Sequence, residues 1–175
     1  MEEVVTRFQS KGLDVRVMVQ APKMAEIERE AFLSEFDFPA EGTSLVGFAV
    51  LGGIFGEGID LTGDRLTGAV IIGTGLPQVS PEQEVLKGYF DEVMGTGYDY
   101  AYTYPGFARV LQSLGRVIRT ESDRGVALLI DERYGWSSYH SLFPRHWPHP
   151  HKVSGPDKIK KLVEDFFEPL PPVEK

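Results

Sequence analysis

Three short apolar runs, residues 44–51, 69–72 and Val126–Ile130, limit what this chain can fold into more than any other feature. Each is almost unbroken in Val, Ile, Leu, Phe, Ala and Gly. None shows the in–out alternation of a strand that keeps one face in water. Such runs predict strands covered on both faces, as in a parallel sheet between helices. A further short strand is expected at Val15–Val19. Helical spacing falls between the strands: Pro22 opens a segment where Met24, Ile27, Ala31 and Phe36 keep approximate register, and residues 105–119 repeat the pattern. Residues 2–11 also read as a helix, with Val4, Val5 and Phe8 on one side and Gly12 as its stop. Glu41-Gly42 reads as a turn. Strands alternating with helices predict an α/β domain built on a parallel sheet.

At 175 residues the chain is expected to form one main domain with a real core. The sequence contains no cysteine, which excludes disulfide scaffolds, zinc–thiolate sites and iron–sulfur ligation by this chain. Its longest apolar stretch, 45–55, is broken by glycine and too short to span a bilayer. The acidic start, Met1-Glu2-Glu3, lacks the basic opening of a signal peptide, so a cytoplasmic protein without membrane association is expected. With 18 Lys+Arg against 26 Asp+Glu the net charge is −8, which disfavours non-specific duplex binding by the whole surface. The character changes near Trp147. The expected organisation is a domain over 1–150 and a Pro-rich tail over 151–175. In that tail Ile159, Leu162, Val163, Phe166 and Phe167 form the apolar stripe of one amphipathic helix that docks on the domain, and the end, 169–175, is frayed.

The sequence carries no GxxxxGK[ST], no GxGxxG between strand and helix, no HExxH and no GxSxG. His140, His146, His149 and His151 cluster late, but their proline-interrupted setting reads as a solvent-facing loop before it reads as a metal site. Nine of the 19 glycines fall between Gly47 and Gly75. The segment Gly52-Gly53-Ile54-Phe55-Gly56-Glu57-Gly58-Ile59-Asp60 follows an expected strand directly. Ligands of open α/β sheets bind beyond the carboxyl ends of strands, and glycine permits close backbone approach. A tight structural loop with solvated carboxylates would look similar.

Five of the ten arginines lie between Arg109 and Arg133, with no lysine among them. On a helix at about 100° per residue, Gln112, Arg116 and Arg119 point within roughly 60° of one another. Val110, Leu111, Leu114, Val117 and Ile118 gather opposite. Paired guanidiniums repel, so an anion is expected on that face, and the planar fork of arginine suits phosphate. Bridges to Glu121 and Asp123 are the competing explanation. The alternation Tyr98, Tyr100, Tyr102, Tyr104 reads as the packed face of a strand rather than a base-stacking platform.

Two of these segments resemble a known family. Glu57-Gly58-Ile59-Asp60, with its preceding glycines, is similar to helicase motif V of the XPD/DinG group of superfamily 2. Gln112-Ser113-Leu114-Gly115-Arg116-Val117-Ile118-Arg119 is similar to motif VI, Q-x-x-G-R-x-I-R. Asp123-Arg124-Gly125 and Asp131-Glu132-Arg133-Tyr134 continue the likeness, which runs from about Val15 to Trp147.

The resemblance implies an open, RecA-like parallel sheet flanked by helices, the second motor domain of an ATP-dependent DNA helicase, with its first strand (motif IV) expected to be missing before Met1. It implies that Arg116 and Arg119 reach the γ-phosphate of a Mg²⁺–ATP held mainly by a first, P-loop domain. Gln112 would order that phosphate or the attacking water, and Asp60 and Gly58 would lie at the nucleotide. Gly53, Gly56 and Glu57 would border single-stranded DNA. The implied partners are the first RecA-like domain and single-stranded DNA, in a protein that is monomeric when whole. Any iron–sulfur cluster would sit in the first domain. A non-catalytic nucleic-acid or protein-binding module on the same fold is the alternative.

Overall fold

The computed structural model describes residues 3, 6–7, 15–37, 43–53, 55, 61, 65–118, 120–121, 123–147 and 150–168. The chain divides into two compact units, Met1–Asp131 and Glu132–Lys175. Most of the helix expected over 2–11, its Gly12 stop and the Glu41-Gly42 turn lie outside the described residues.

In the first unit, strand β1 (Val15–Val19) pairs in parallel with β2 (Ser44–Phe48), Val15 opposite Ser44 and Val19 opposite Phe48. Strand β3 (Gly68–Ile72) pairs in parallel with β4 (Val126–Ile130), Gly68 opposite Val126. Parallel neighbours require a crossover, and each pair has one made of helix. Helix α1 (Glu26–Ser34) joins β1 to β2. Its start is set by Glu28, whose Oε2 accepts the Ala25 N–H at 2.7 Å, half of a capping box. The face expected to be buried packs only through Phe36. Met24 precedes the helix, Phe36 follows it in a turn, and Ile27 is exposed. Phe32 is buried instead, 4.6 Å from the Phe55 ring and 6.0 Å from that of Phe36. This aromatic group lies on Gly47 of β2, where a Cβ would stand 2.9 Å from Phe36 and 3.3 Å from Phe32.

The crossover between β3 and β4 is longer. Helix α2 (Pro81–Met94) has no counterpart among the expected elements, although its ends are marked in the sequence. The Ser80 hydroxyl accepts the Gln83 N–H at 3.3 Å, Pro81 occupies the first turn, and Gly95 closes the helix at φ 69°. A π-helical turn, Asp99–Thr103, then runs into helix α3 (Tyr104–Leu114), with the Tyr104 N–H donating five residues back to the Asp99 carbonyl. The four tyrosines therefore lie on helix, not on a strand. Residues four apart are neighbours there, and Tyr98–Tyr102 and Tyr100–Tyr104 each approach to 5.1 Å between ring centres. Tyr100 stacks on Phe90 of α2 at 4.3 Å, and the Tyr102 hydroxyl donates to Glu84 Oε1 at 2.6 Å. Aromatic rings thus join the two helices of the crossover.

Helix α3 packs on β3, and the core gathers there in Ala101, Tyr102, Phe107, Val110, Leu114 and Ile71. The strands are nonetheless not covered on both faces as expected. Val70 and Ile72 are 59% and 71% exposed, and Ile130 beside them is also exposed. One side of the β3–β4 pair meets α3, while no described layer of this unit covers the other.

The second unit contains a 3₁₀ turn (Glu132–Gly135), a short helix α4 (Ser137–His140) and α5 (Pro156–Phe167), the amphipathic helix expected in the tail. Tyr139 is buried there, edge-on to Tyr134 at 6.0 Å and to Trp136 at 6.4 Å. Among the described residues, no helix is long and apolar enough to cross a membrane.

Candidate functional site

Parallel pairing puts the carboxyl ends of both strands of a pair at one edge, and the loops leaving those ends are where an α/β sheet presents groups to a ligand. After β1, Gln20 donates its N–H to the Phe48 carbonyl at 2.8 Å and accepts the Val50 N–H through Oε1 at 2.9 Å. This ties the loop beyond β2 to the end of β1. The chain then turns tightly: the Gly53 N–H donates to the Val50 carbonyl at 3.0 Å, and Gly52 takes φ 73°, a conformation open mainly to glycine. After β3, the Gly73 N–H extends the ladder by donating to the Ile130 carbonyl at 3.0 Å, and Gly75 has φ 69°.

The two loops meet over the start of α3. A Cβ on Gly75 would stand 2.6 Å from the Gly106 carbonyl oxygen and 3.1 Å from Leu51 Cδ2. A Cβ on Gly106 would stand 2.8 Å from the Thr74 carbonyl oxygen. The glycines at 75 and 106 are therefore what lets loop and helix touch backbone to backbone. Arg109, one turn further along α3, lies across Gly52 and donates through Nη1 to the Gly75 carbonyl at 3.3 Å. Beneath them Thr74 is 2% exposed, and its hydroxyl has no hydrogen-bond partner among the described residues.

The other end of α3 carries the residues singled out for phosphate. Val110, fully buried, and Leu114 fix the helix to the core, which leaves Gln112 exposed on its last turn. Regular helix stops at Leu114. Arg116 and Val117 continue in a tighter turn, their N–H groups donating to Ser113 at 3.2 Å and Leu114 at 3.0 Å. The single helical face expected for Gln112, Arg116 and Arg119 is therefore interrupted, because bonds spanning three residues turn the chain faster than α-helix does. Arg116 is half-buried in that turn, and the buried Val117 packs under Gly125, where a Cβ would collide with it. Beyond the turn, Asp123 accepts both the Thr120 N–H at 2.8 Å and its hydroxyl at 2.6 Å, folding the segment back toward β4.

Of the residues selected from sequence, Gly53, Gln112 and Arg116 are described. Gly56, Glu57, Gly58, Asp60 and Arg119 lie outside the described residues. Gly53 stands at the carboxyl edge on a loop pinned to α3, and Gln112 and Arg116 stand at the far end of the same helix. Sequence reasoning passed over Gln20, Thr74 and Arg109, which tie or fill this junction. Arg109 alone carried a signal, as the first member of the arginine run. Among the described residues, no group of three or more His, Asp and Glu could hold a metal ion. His140 and His146 lie instead against Phe143 and Trp147, each 6.0 Å between ring centres.

Residues 1–150 match the helicase C-terminal domain family. The Regulator of telomere elongation helicase 1 homolog of Caenorhabditis elegans is 35% identical over 130 residues, covering 69% of this chain and 13% of that protein. The General transcription and DNA repair factor IIH helicase subunit XPD of Schizosaccharomyces pombe is 28% identical over 157 residues, covering 83% and 20% respectively. The ATP-dependent DNA helicase DinG of Photobacterium profundum is 35% identical over 99 residues, 53% of this chain and 14% of that one. This chain thus spans a fifth or less of the length of each of these relatives. Among solved structures, an XPD helicase superposes with a TM-score of 0.57 at 20% identity, over 81% of this chain and 25% of its own. That likeness identifies the fold as RecA-like.

Proposed function

This chain belongs to the helicase C-terminal domain family, in the XPD/DinG group, and on that footing we propose that it is the second motor half of an ATP-dependent DNA helicase. In this reading Arg116 and Arg119 extend across a cleft to the γ-phosphate of Mg²⁺–ATP held by a P-loop domain. Gln112 orders that phosphate or the attacking water, and Asp60 with Gly58 lines the nucleotide side. Gly53, Gly56 and Glu57 border a single strand of DNA. The observation that carries the reading is the far end of α3. A helix whose apolar side is locked into the core by Val110 and Leu114 presents Gln112, and the tight turn that follows it carries Arg116, in the order and spacing of motif VI.

The donor set fits assistance to a phosphate rather than possession of one. Guanidiniums and an amide can stabilise charge that develops on a transferring phosphoryl group. The sequence has no GxxxxGK[ST] to cradle a triphosphate, so the nucleotide and its Mg²⁺ belong chiefly to the other motor domain. With no cysteine, this chain cannot ligate an iron–sulfur cluster. Closure of two such domains around ATP, followed by opening after hydrolysis, converts turnover into movement along the strand.

The test joins this chain to a P-loop motor domain in one polypeptide and measures DNA-stimulated phosphate release beside melting temperature. Arg116→Lys keeps the charge but loses the planar fork. Turnover is expected to fall on the order of 10³-fold or more, as when an arginine finger is removed. Single-stranded DNA affinity should hold, because its contacts are distributed along the strand. Near-normal turnover in both Arg116→Lys and Arg119→Ala would overturn the assignment. If these arginines only bridged surface carboxylates, their loss would cost about 0–1 kcal/mol and leave turnover intact.

A further inference from the structure

The geometry points to Arg109 as a positioning residue. Its side chain straps the loops beyond β2 and β3 to α3, so that the glycine loop and the Gln112–Arg116 end of the helix shift as one body. The identity of the two sides, DNA at the loop and nucleotide at the helix end, rests on the function proposed above; the strap itself rests on contacts alone.

Three consecutive atoms of the side chain, Cγ, Cδ and Nε, lie 3.6, 2.8 and 3.2 Å from the point a Gly52 Cβ would occupy. The stem therefore runs in the space that the missing side chain leaves, over a residue whose φ of 73° already favours glycine. Past the stem, Nη1 reaches the Gly75 carbonyl at 3.3 Å. A charged donor on a backbone carbonyl is stronger than a neutral pair, and this one reinforces the Gly75–Gly106 side of a triangle whose other sides are the Leu51–Gly75 approach and the Arg109 stem over Gly52. Arg109 is half-buried and one turn ahead of Gln112 on the same helix. A displacement of residues 51–53 is thus transmitted to α3 through the side chain that spans them.

The test compares the 175-residue chain with Arg109→Met, which keeps an apolar stem but no donor, and with Arg109→Lys, which keeps both stem and donor. Hydrogen exchange is read at Gly53, bonded within the loop beyond β2, at Gly73, where the ladder passes into the loop beyond β3, and at Val126 at the far end of the strand pair. Binding of a fluorescent oligothymidylate is read beside it. Arg109→Met is expected to speed exchange at Gly53 and Gly73 by about five- to tenfold, the factor one hydrogen bond carries. The Val126 amide should be unchanged, the oligonucleotide should bind several-fold more weakly, and Arg109→Lys should restore both. Unchanged loop exchange in Arg109→Met overturns the strap. So does equal acceleration at Val126, which would make Arg109 an ordinary stabilising residue. Loosened loops with undiminished oligonucleotide affinity overturn the coupling. If the wild-type chain binds no oligonucleotide while Arg109→Met still loosens the loops, the DNA assignment fails and the strap stands.

Discussion

Tyr102 gives a measurable signature to the joint between α2 and α3. Its hydroxyl donates to Glu84 at 2.6 Å, and that bond, with burial and the carboxylate's charge added, pushes the phenol up to about 12. A group whose folded pKa is raised lends stability that is fully present below its unfolded value and lost as pH rises through the folded one. The joint should therefore hold below about pH 10, the ordinary tyrosine value, and weaken from there toward pH 12. Phenolate absorbance is expected to show an ionisation step near pH 12 in the wild type and to lose it in Glu84→Gln. At this scale what the sequence leaves hidden is packing. Gln112, Gly115 and Arg116 could be singled out because motif VI joins identity to spacing, and the role proposed for them awaits the turnover test above. Arg109 and Thr74 could not be, because what they do depends on loops distant in sequence that meet only after folding.

Among the elements, the corner from α2 into the π turn is the tightest. Gly97 donates its N–H to Asp91 Oδ1 at 2.7 Å, and a Cβ there would collide with the Lys87 carbonyl and the Asp91 carboxylate. Gly97→Ala should cost about 1–3 kcal/mol or more, as overpacking does. Ser80→Ala, which only removes the α2 cap, should cost about 1 kcal/mol. Chemical denaturation of the two variants should rank them in that order, and equal midpoints would show that the corner yields. Strands β1 and β4 were legible to the residue, β1 from three valines at every second position and β4 from an unbroken apolar run. Helix α2 was missed although Ser80, Pro81 and Gly95 mark its ends. Its apolar residues Val85, Tyr89 and Val93 stand at helical spacing on an exposed face, so no neighbouring buried strand drew notice to them. The tyrosines misled in the opposite way. Alternation by two looks like a strand, yet every second residue also includes every fourth, and the fourth is what a helix brings together.

As a whole molecule, the chain should hydrolyse no ATP by itself. Under the proposed function its arginines assist a phosphate held elsewhere, and its sequence has no GxxxxGK[ST], so phosphate release should stay at background with or without single-stranded DNA. DNA-stimulated release from a pure preparation would refute the division of labour between two domains. Global architecture was legible from the alternation of strand and helix, whereas the open face of β3–β4 was not, since an apolar run predicts that a face wants covering without saying what covers it. The π turn sets one further condition, on length rather than on chemistry. It holds one more residue than a regular turn and absorbs that surplus locally, which sets the angular phase of α3. Relaxing the turn to α-helix with every residue kept would swing all that follows by about 100°, with a shift of about 1.5 Å, and take Arg109 off Gly52. Deleting one residue within Asp99–Thr103 removes the surplus and is expected to leave α3 in place, whereas deleting one elsewhere between Gly95 and Gly106 is expected to rotate it.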